Sequence, residues 1–178
     1  MSTTVQRGMS AAIAAGLLAE FGQELATTRR FLERVPGDKL RWRPHAKSMS
    51  AGQLALHIAQ VPRGVLGMAL TDKAAPPDMS RTRPEASSVR EVLDALEQSA
   101  AFVRETLPAL DNSRMLATFA IVKDGKTLMS LPRVAFLRSI MLNHWYHHRG
   151  QLGVYLRLMG VSVPASYGPS GDESPFGM

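Results

Sequence analysis

The chain has no cysteine among its 178 residues. Disulfides, protein thiolate nucleophiles and thiolate-ligated zinc are therefore excluded. A metal site would have to be built from His, Asp, Glu and water. No uninterrupted apolar run reaches the ~18 residues that a membrane span needs. A signal-peptide pattern is also missing: residues 11–15 are short, weakly apolar and continuous with an amphipathic repeat. The expectation is a soluble cytoplasmic protein with no membrane partner. There is no P-loop, dinucleotide fingerprint, Ser-His-Asp signature or internal repeat.

What is present suits a globular protein. Hydrophobic residues make up 45% of the chain, and its length suffices for one compact domain over residues 1–178. The net charge is +6. Much of it lies between Arg29 and Lys47, where seven basic residues face only Glu33 and Asp38. Such a patch could attract nucleic acid or an anionic substrate. The segment carries no nucleic-acid motif and a single aromatic, Trp42, so a solvated helix end that complements the helix dipole is the preferred reading. No nucleic-acid partner is expected.

Four helical segments emerge from apolar periodicity, near residues 10–35, 50–70, 88–107 and 131–159. The first shows Ala14, Leu17, Leu18, Phe21, Leu25, Thr28, Leu32 and Val35 on one face and ends at Pro36-Gly37. Ser50 with Gln53, and Ser88 with Glu91, form capping-box patterns. Pro62 must disturb the second helix, because it lacks an N–H. Residues 71–87 form a long loop with Pro76, Pro77 and Pro84. Residues 113–129 leave a short β-hairpin around Asp124-Gly125 and an extended loop as alternatives. Ser130 is a candidate cap for the fourth helix. The tail, residues 161–178, is irregular. The expected fold is an all-α four-helix bundle.

Three of the five histidines fall in the run His144-Trp-Tyr-His147-His148. His144 and His148 point about 40° apart around a helix axis. His144 and His147 are neighbours too. Either pair could grip a divalent ion. Single helical histidines are more often surface residues or hydrogen-bonded core residues, but a triplet beside an apolar stripe favours a metal. His57, between Leu54 and Ile58 on the core face of another helix, supplies a third imidazole. An unsatisfied buried ring would cost roughly 1–3 kcal/mol, and a shared ion would satisfy all three. Neutral imidazoles suit Zn²⁺, Ni²⁺ or Fe²⁺ alike.

The block His144-x-x-x-His148-Arg149-Gly150-Gln151, with His57 inside Ser-Met-Ser-Ala-Gly-Gln-Leu-Ala-Leu-His-Ile-Ala, resembles the DinB/YfiT-like family. Trp42-Arg43-Pro44 and Tyr167-Gly-Pro-Ser170 are similar to stretches of that family as well. The resemblance implies a four-helix bundle, often a homodimer, with a divalent ion on His57, His144 and His148. His147 is left as a neighbour. It further implies a metal-dependent enzyme acting on a small molecule, in which the ion activates water or a low-molecular-weight thiol for hydrolysis or thiol transfer. A non-catalytic, dimeric metal-binding or stress-response protein is the alternative.

Other residues carry weaker signals. Gln151 could orient His148 or serve an ordinary inter-helix bond. Trp42 and Trp145 read as packing anchors rather than pocket walls. Asp172 and Glu173 read as solvated tail acids. Phe136, Ile140 and Val154 fall away from the histidine stripe and need cover, which a second copy would provide.

Overall fold

The computed structural model describes residues 11–78 and 80–174. The expected helix start at Ser10 and the last residues of the tail lie outside the described residues. Helix α1 spans Ala12–Glu33 and buries Ala14, Leu17, Phe21, Leu25, Thr28 and Leu32, the face its periodicity defines. A 3₁₀ turn, Gly37–Lys39, follows Pro36. Helix α2, Ala51–Ala69, opens with the full capping box: the Gln53 amide donates to Ser50 Oγ at 3.0 Å, and the Ser50 amide donates to Gln53 Oε1 at 3.0 Å. It runs on through Pro62. The carbonyl that Pro62 cannot bond, that of Ile58, accepts the indole N–H of Trp145 at 2.9 Å instead.

Strand β1, Lys73–Ala74, lies within the long loop. Helix α3, Val89–Thr106, is capped by Ser88, whose Oγ accepts from the Glu91 amide at 3.1 Å. The reciprocal half of the expected box is displaced by one residue, since the Glu91 carboxylate accepts from the Ser87 amide at 2.7 Å. After the short helix α4, Asn112–Leu116, strands β2, Thr118–Lys123, and β3, Lys126–Pro132, form an antiparallel hairpin. Its turn places Asp124 at φ 50° and Gly125 at φ 76°, the pair of positive φ values a type I′ turn requires. β1 adds to β2 in parallel, Lys73 opposite Ala120, giving a sheet in the order β1-β2-β3. The fold is thus predominantly helical but not all-α.

The expected cap at Ser130 is overturned by this sheet. Ser130 is paired with Ala120 in the ladder, and helix begins only at Arg133. Helix α5, Arg133–Phe136, passes into a π-helical stretch, Leu137–Asn143, and then into α6, His144–Leu158. Arg133 is fully buried and fastens the junction: its guanidinium donates to the Ala69 carbonyl at 2.6 Å and to Asp72 at 2.8 Å.

Helix α2 packs against α3 and α6, and α1 against the same two. Phe136 is covered within the chain by Phe119, with ring centroids 4.3 Å apart. Of the residues expected to need outside cover, Val154 remains exposed. The tail acids are not merely solvated: Glu173 pairs with Arg30 and Arg34, and Asp172 with Arg157. Much of the basic segment is consumed in this way, with Arg29 also bound to Glu97 and Lys39 to the Met159 carbonyl. No helix among the described residues is long and apolar enough to cross a membrane.

Candidate metal centre

His57 comes from the middle of α2, flanked by the fully buried Leu54 and Ile58. His144 and His148 come from the first turns of α6, immediately after the π-helical stretch. There the His144 amide bonds back five residues to the Ser139 carbonyl. Such wide turns recur at functional sites. The three rings stand nearly perpendicular, with interplanar angles of 83–90°. Their Nε2 atoms converge: His57 to His144 is 3.3 Å, and His148 to His144 is 3.1 Å. One ligand atom from each of the three lies within 4.8 Å of the others. Two imidazoles on a tetrahedral ion at ~2.0–2.1 Å would hold their nitrogens about 3.3 Å apart, so the spacing fits the donor set.

Proton accounting makes the same point. Arg83 Nη1 lies 3.0 Å from His57 Nδ1. A guanidinium can only donate, so this Nδ1 accepts, and the ring proton of neutral His57 sits on Nε2. His148 Nδ1 lies 2.6 Å from Gln151 Oε1 and donates to it, which leaves His148 Nε2 bare. His144 Nε2 must then face one N–H and one lone pair. If protonated it opposes the His57 N–H; if bare it opposes the bare His148 nitrogen. Turning the Gln151 amide over leaves two N–H groups competing for one lone pair. With Arg83 on Nδ1, protons on neutral rings make at most one of the two contacts an ordinary two-centre hydrogen bond. A cation on three bare nitrogens would meet both, and it needs Arg83 to leave Nδ1.

The electrostatics keep the rings neutral. Burial, then the nearby His148, Arg83 and His144, pushes His57 down from 6.5 to about 3. Burial pushes His148 down to about 4 against the opposing Gln151 bond. His144 is lowered too, by burial first and then by His147 and Arg83. All three therefore offer lone pairs at neutral pH.

His147 stands apart. It is exposed, its ring is 6.4 Å from His144 between centroids, and it is outside the convergent group. Trp145 is fully buried and stacked on Phe21 at 5.2 Å, and Trp42 meets Tyr155 edge-on at 5.5 Å, so both are packing anchors. Arg149 is buried in an ion pair with Glu24 at 2.5 Å. Gln151 takes the orienting role that its spacing allowed.

Arg83 was not legible from spacing, because it belongs to the Pro-rich loop. Two contacts bring it to the site. Its carbonyl accepts from Gln53 Nε2 at 3.1 Å, and Glu85 accepts from Ser50 Oγ. The loop thus docks on the cap of α2, close over Gly52, where a Cβ would meet the Glu85 carboxylate at 2.8 Å. Beside the histidines lies a cavity of about 550 Å³, walled by Val65, Met68, Phe136 and Ile140 with Pro76 and Pro77 from the loop. His57, His144, Arg83 and Gln60 are its polar lining, and no carboxylate among the described residues lines it.

The sequence model of the DinB family matches residues 1–175. Among solved structures, the chain is similar to a DinB-like protein from Bacillus cereus, with 22% identity and a TM-score of 0.68 over 86% of this chain and 97% of that one. A DinB-like protein from Bacillus subtilis is similar at 22% identity and a TM-score of 0.62, over 84% and 96% of the two chains. At these identities the likeness concerns the fold. No curated protein matches the chain significantly.

Proposed function

This chain belongs to the DinB family, and we propose that it is a metal-dependent enzyme with one divalent ion held by His57, His144 and His148. The observation that carries the reading is the convergence of three imidazole nitrogens from two helices at the spacing that one shared ion would need. A bound ion of this kind lowers the pKa of water or a thiol toward neutrality and so supplies a nucleophile. The chain's own residues do the rest. Gln151 fixes the ring of His148, and burial keeps all three imidazoles neutral. His57 and His144 open onto the apolar cavity, which offers a small electrophile an apolar berth beside them. Because the chain has no cysteine, any thiol is a low-molecular-weight cosubstrate. Hydrolysis and thiol transfer both suit this arrangement.

In the same reading the four long helical segments make a four-helix bundle, and the protein is a homodimer. Val154 and Leu158, 59% and 60% exposed on one side of α6, are the surface a second copy would cover. Zn²⁺, Ni²⁺ and Fe²⁺ all suit three imidazoles. The alternative is a non-catalytic dimeric protein with a structural ion. The cavity that reaches two of the three ligands favours catalysis over it. The test is metal analysis of wild type beside His57→Ala, then a screen of small electrophiles with water and with several thiols. Turnover that disappears with the ion supports the enzyme. Bound metal without turnover, with a large loss of melting temperature on chelation, supports the structural alternative.

A further inference from the structure

We infer that Arg83 is the specificity residue of the cavity, and that the cavity takes a small, largely apolar molecule bearing one carboxylate. This rests on the proposed three-histidine ion. His57 can give its Nε2 lone pair to a cation only if its ring proton moves to Nδ1. An Nδ1–H and a guanidinium N–H cannot both point across the 3.0 Å that now separates Arg83 from His57. Binding the ion therefore frees the guanidinium, and the two positive charges repel each other.

The Arg83 carbonyl is tied to Gln53, and Glu85 is tied to Ser50, so the backbone of Arg83 stays beside the cavity that its side chain already lines. That cavity has no acidic side chain among its described lining, and apart from the histidines and Gln60 its walls are aliphatic or aromatic. The half-buried guanidinium then faces whatever enters the cavity, and an anionic group is the partner that it attracts most strongly. A carboxylate matches the planar fork of a guanidinium two oxygens to two N–H groups. The rest of the ligand must match Val65, Met68, Phe136 and Ile140, which offer it no hydrogen bonds. Arg83 thus selects the anionic end, and the aliphatic walls select the body.

Cobalt-loaded protein tests this without any turnover assay, because the visible bands of Co²⁺ report binding nearby. Octanoate and the neutral octanamide are titrated into wild type, Arg83→Met and Arg83→Gln, with cobalt stoichiometry measured for each. The expected result is octanoate binding at least about tenfold tighter than octanamide to wild type, the scale of a charge-assisted pair. That preference should fall by about tenfold in both variants while cobalt stays bound. Equal binding of the two probes to wild type, or a preference that survives in both variants, overturns the inference and leaves the metal centre standing. Failure of wild type to bind cobalt, or its retention in His148→Ala, overturns the metal centre and the inference with it.

Discussion

Trp145 on α6 supplies the N–H that Pro62 withholds from α2. The indole nitrogen donates to the Ile58 carbonyl at 2.9 Å, and Ile58 is the residue four before Pro62. The position of this bond matters. Ile58 directly follows His57, and Trp145 directly follows His144. A proline that would ordinarily weaken a helix therefore creates a bare acceptor, and that acceptor locks the two backbones that carry facing imidazoles.

The pair can be tested as a cycle. Trp145→Phe keeps the stacking partner of Phe21 but leaves the Ile58 carbonyl unpaired, a loss of about 1–3 kcal/mol from the hydrogen bond alone. In a Pro62→Ala background the alanine amide can take that carbonyl, so the cost of Trp145→Phe should shrink by about 1 kcal/mol or more. Urea unfolding of the four proteins measures the coupling. Additive effects would mean that the indole bond does not compensate the proline.

Arg83 should compete with the ion. Its bond to His57 Nδ1 holds the ring in the tautomer that cannot ligate through Nε2. Arg83→Met should bind Zn²⁺ more tightly than wild type, by about tenfold, the worth of one hydrogen bond from a charged donor. Competition with a chromophoric chelator gives the value. Weaker binding in the variant would mean that Arg83 supports the loaded site.

Acid should weaken the metal-free protein through its histidines. The folded values of about 3 for His57 and about 4 for His148 lie below the unfolded 6.5. The unfolded chain then binds more protons across that interval, so the stability due to neutral burial is present above 6.5 and is lost as pH falls toward 4 and 3. The urea midpoint of metal-free wild type should drop between pH 7.5 and pH 5 more steeply than that of His57→Gln/His148→Gln. Parallel pH profiles would contradict the burial of neutral rings.

The parts of this molecule that repeat were legible in the sequence. The apolar faces of α1 and α2 follow a helical period, Ser50 and Gln53 mark a start, and Asp124-Gly125 marks a tight turn. The histidine spacing told of a shared centre for the same reason. The unread parts depend on contacts between distant segments. Two residues, Lys73 and Ala74, are too few to show strand alternation, so β1 exists only because β2 offers an edge. Ser130 looked like a cap because its role in the ladder is set by Ala120. Phe136 lacked a visible partner until Phe119 covered it. No local pattern announces the π-helical stretch before His144, or the loop docking that delivers Arg83.

Gln151 should matter to the ion without touching it. Its carbonyl oxygen fixes the proton of His148 on Nδ1 and leaves Nε2 free. Gln151→Leu keeps the volume and removes the acceptor. Metal affinity should fall about 10- to 100-fold, as for other groups that orient a ligand. Gln151→Glu should restore it. Unchanged affinity in Gln151→Leu would make the contact incidental.

The central claim is one ion on three named rings, and X-ray absorption of the zinc-loaded protein tests it most directly. The account predicts a shell of about three imidazole nitrogens at ~2.0–2.1 Å, lost in His57→Ala and His148→Ala and kept in His147→Ala. A protein that takes up no zinc, or one that keeps the same shell in His57→Ala and His148→Ala, would contradict it.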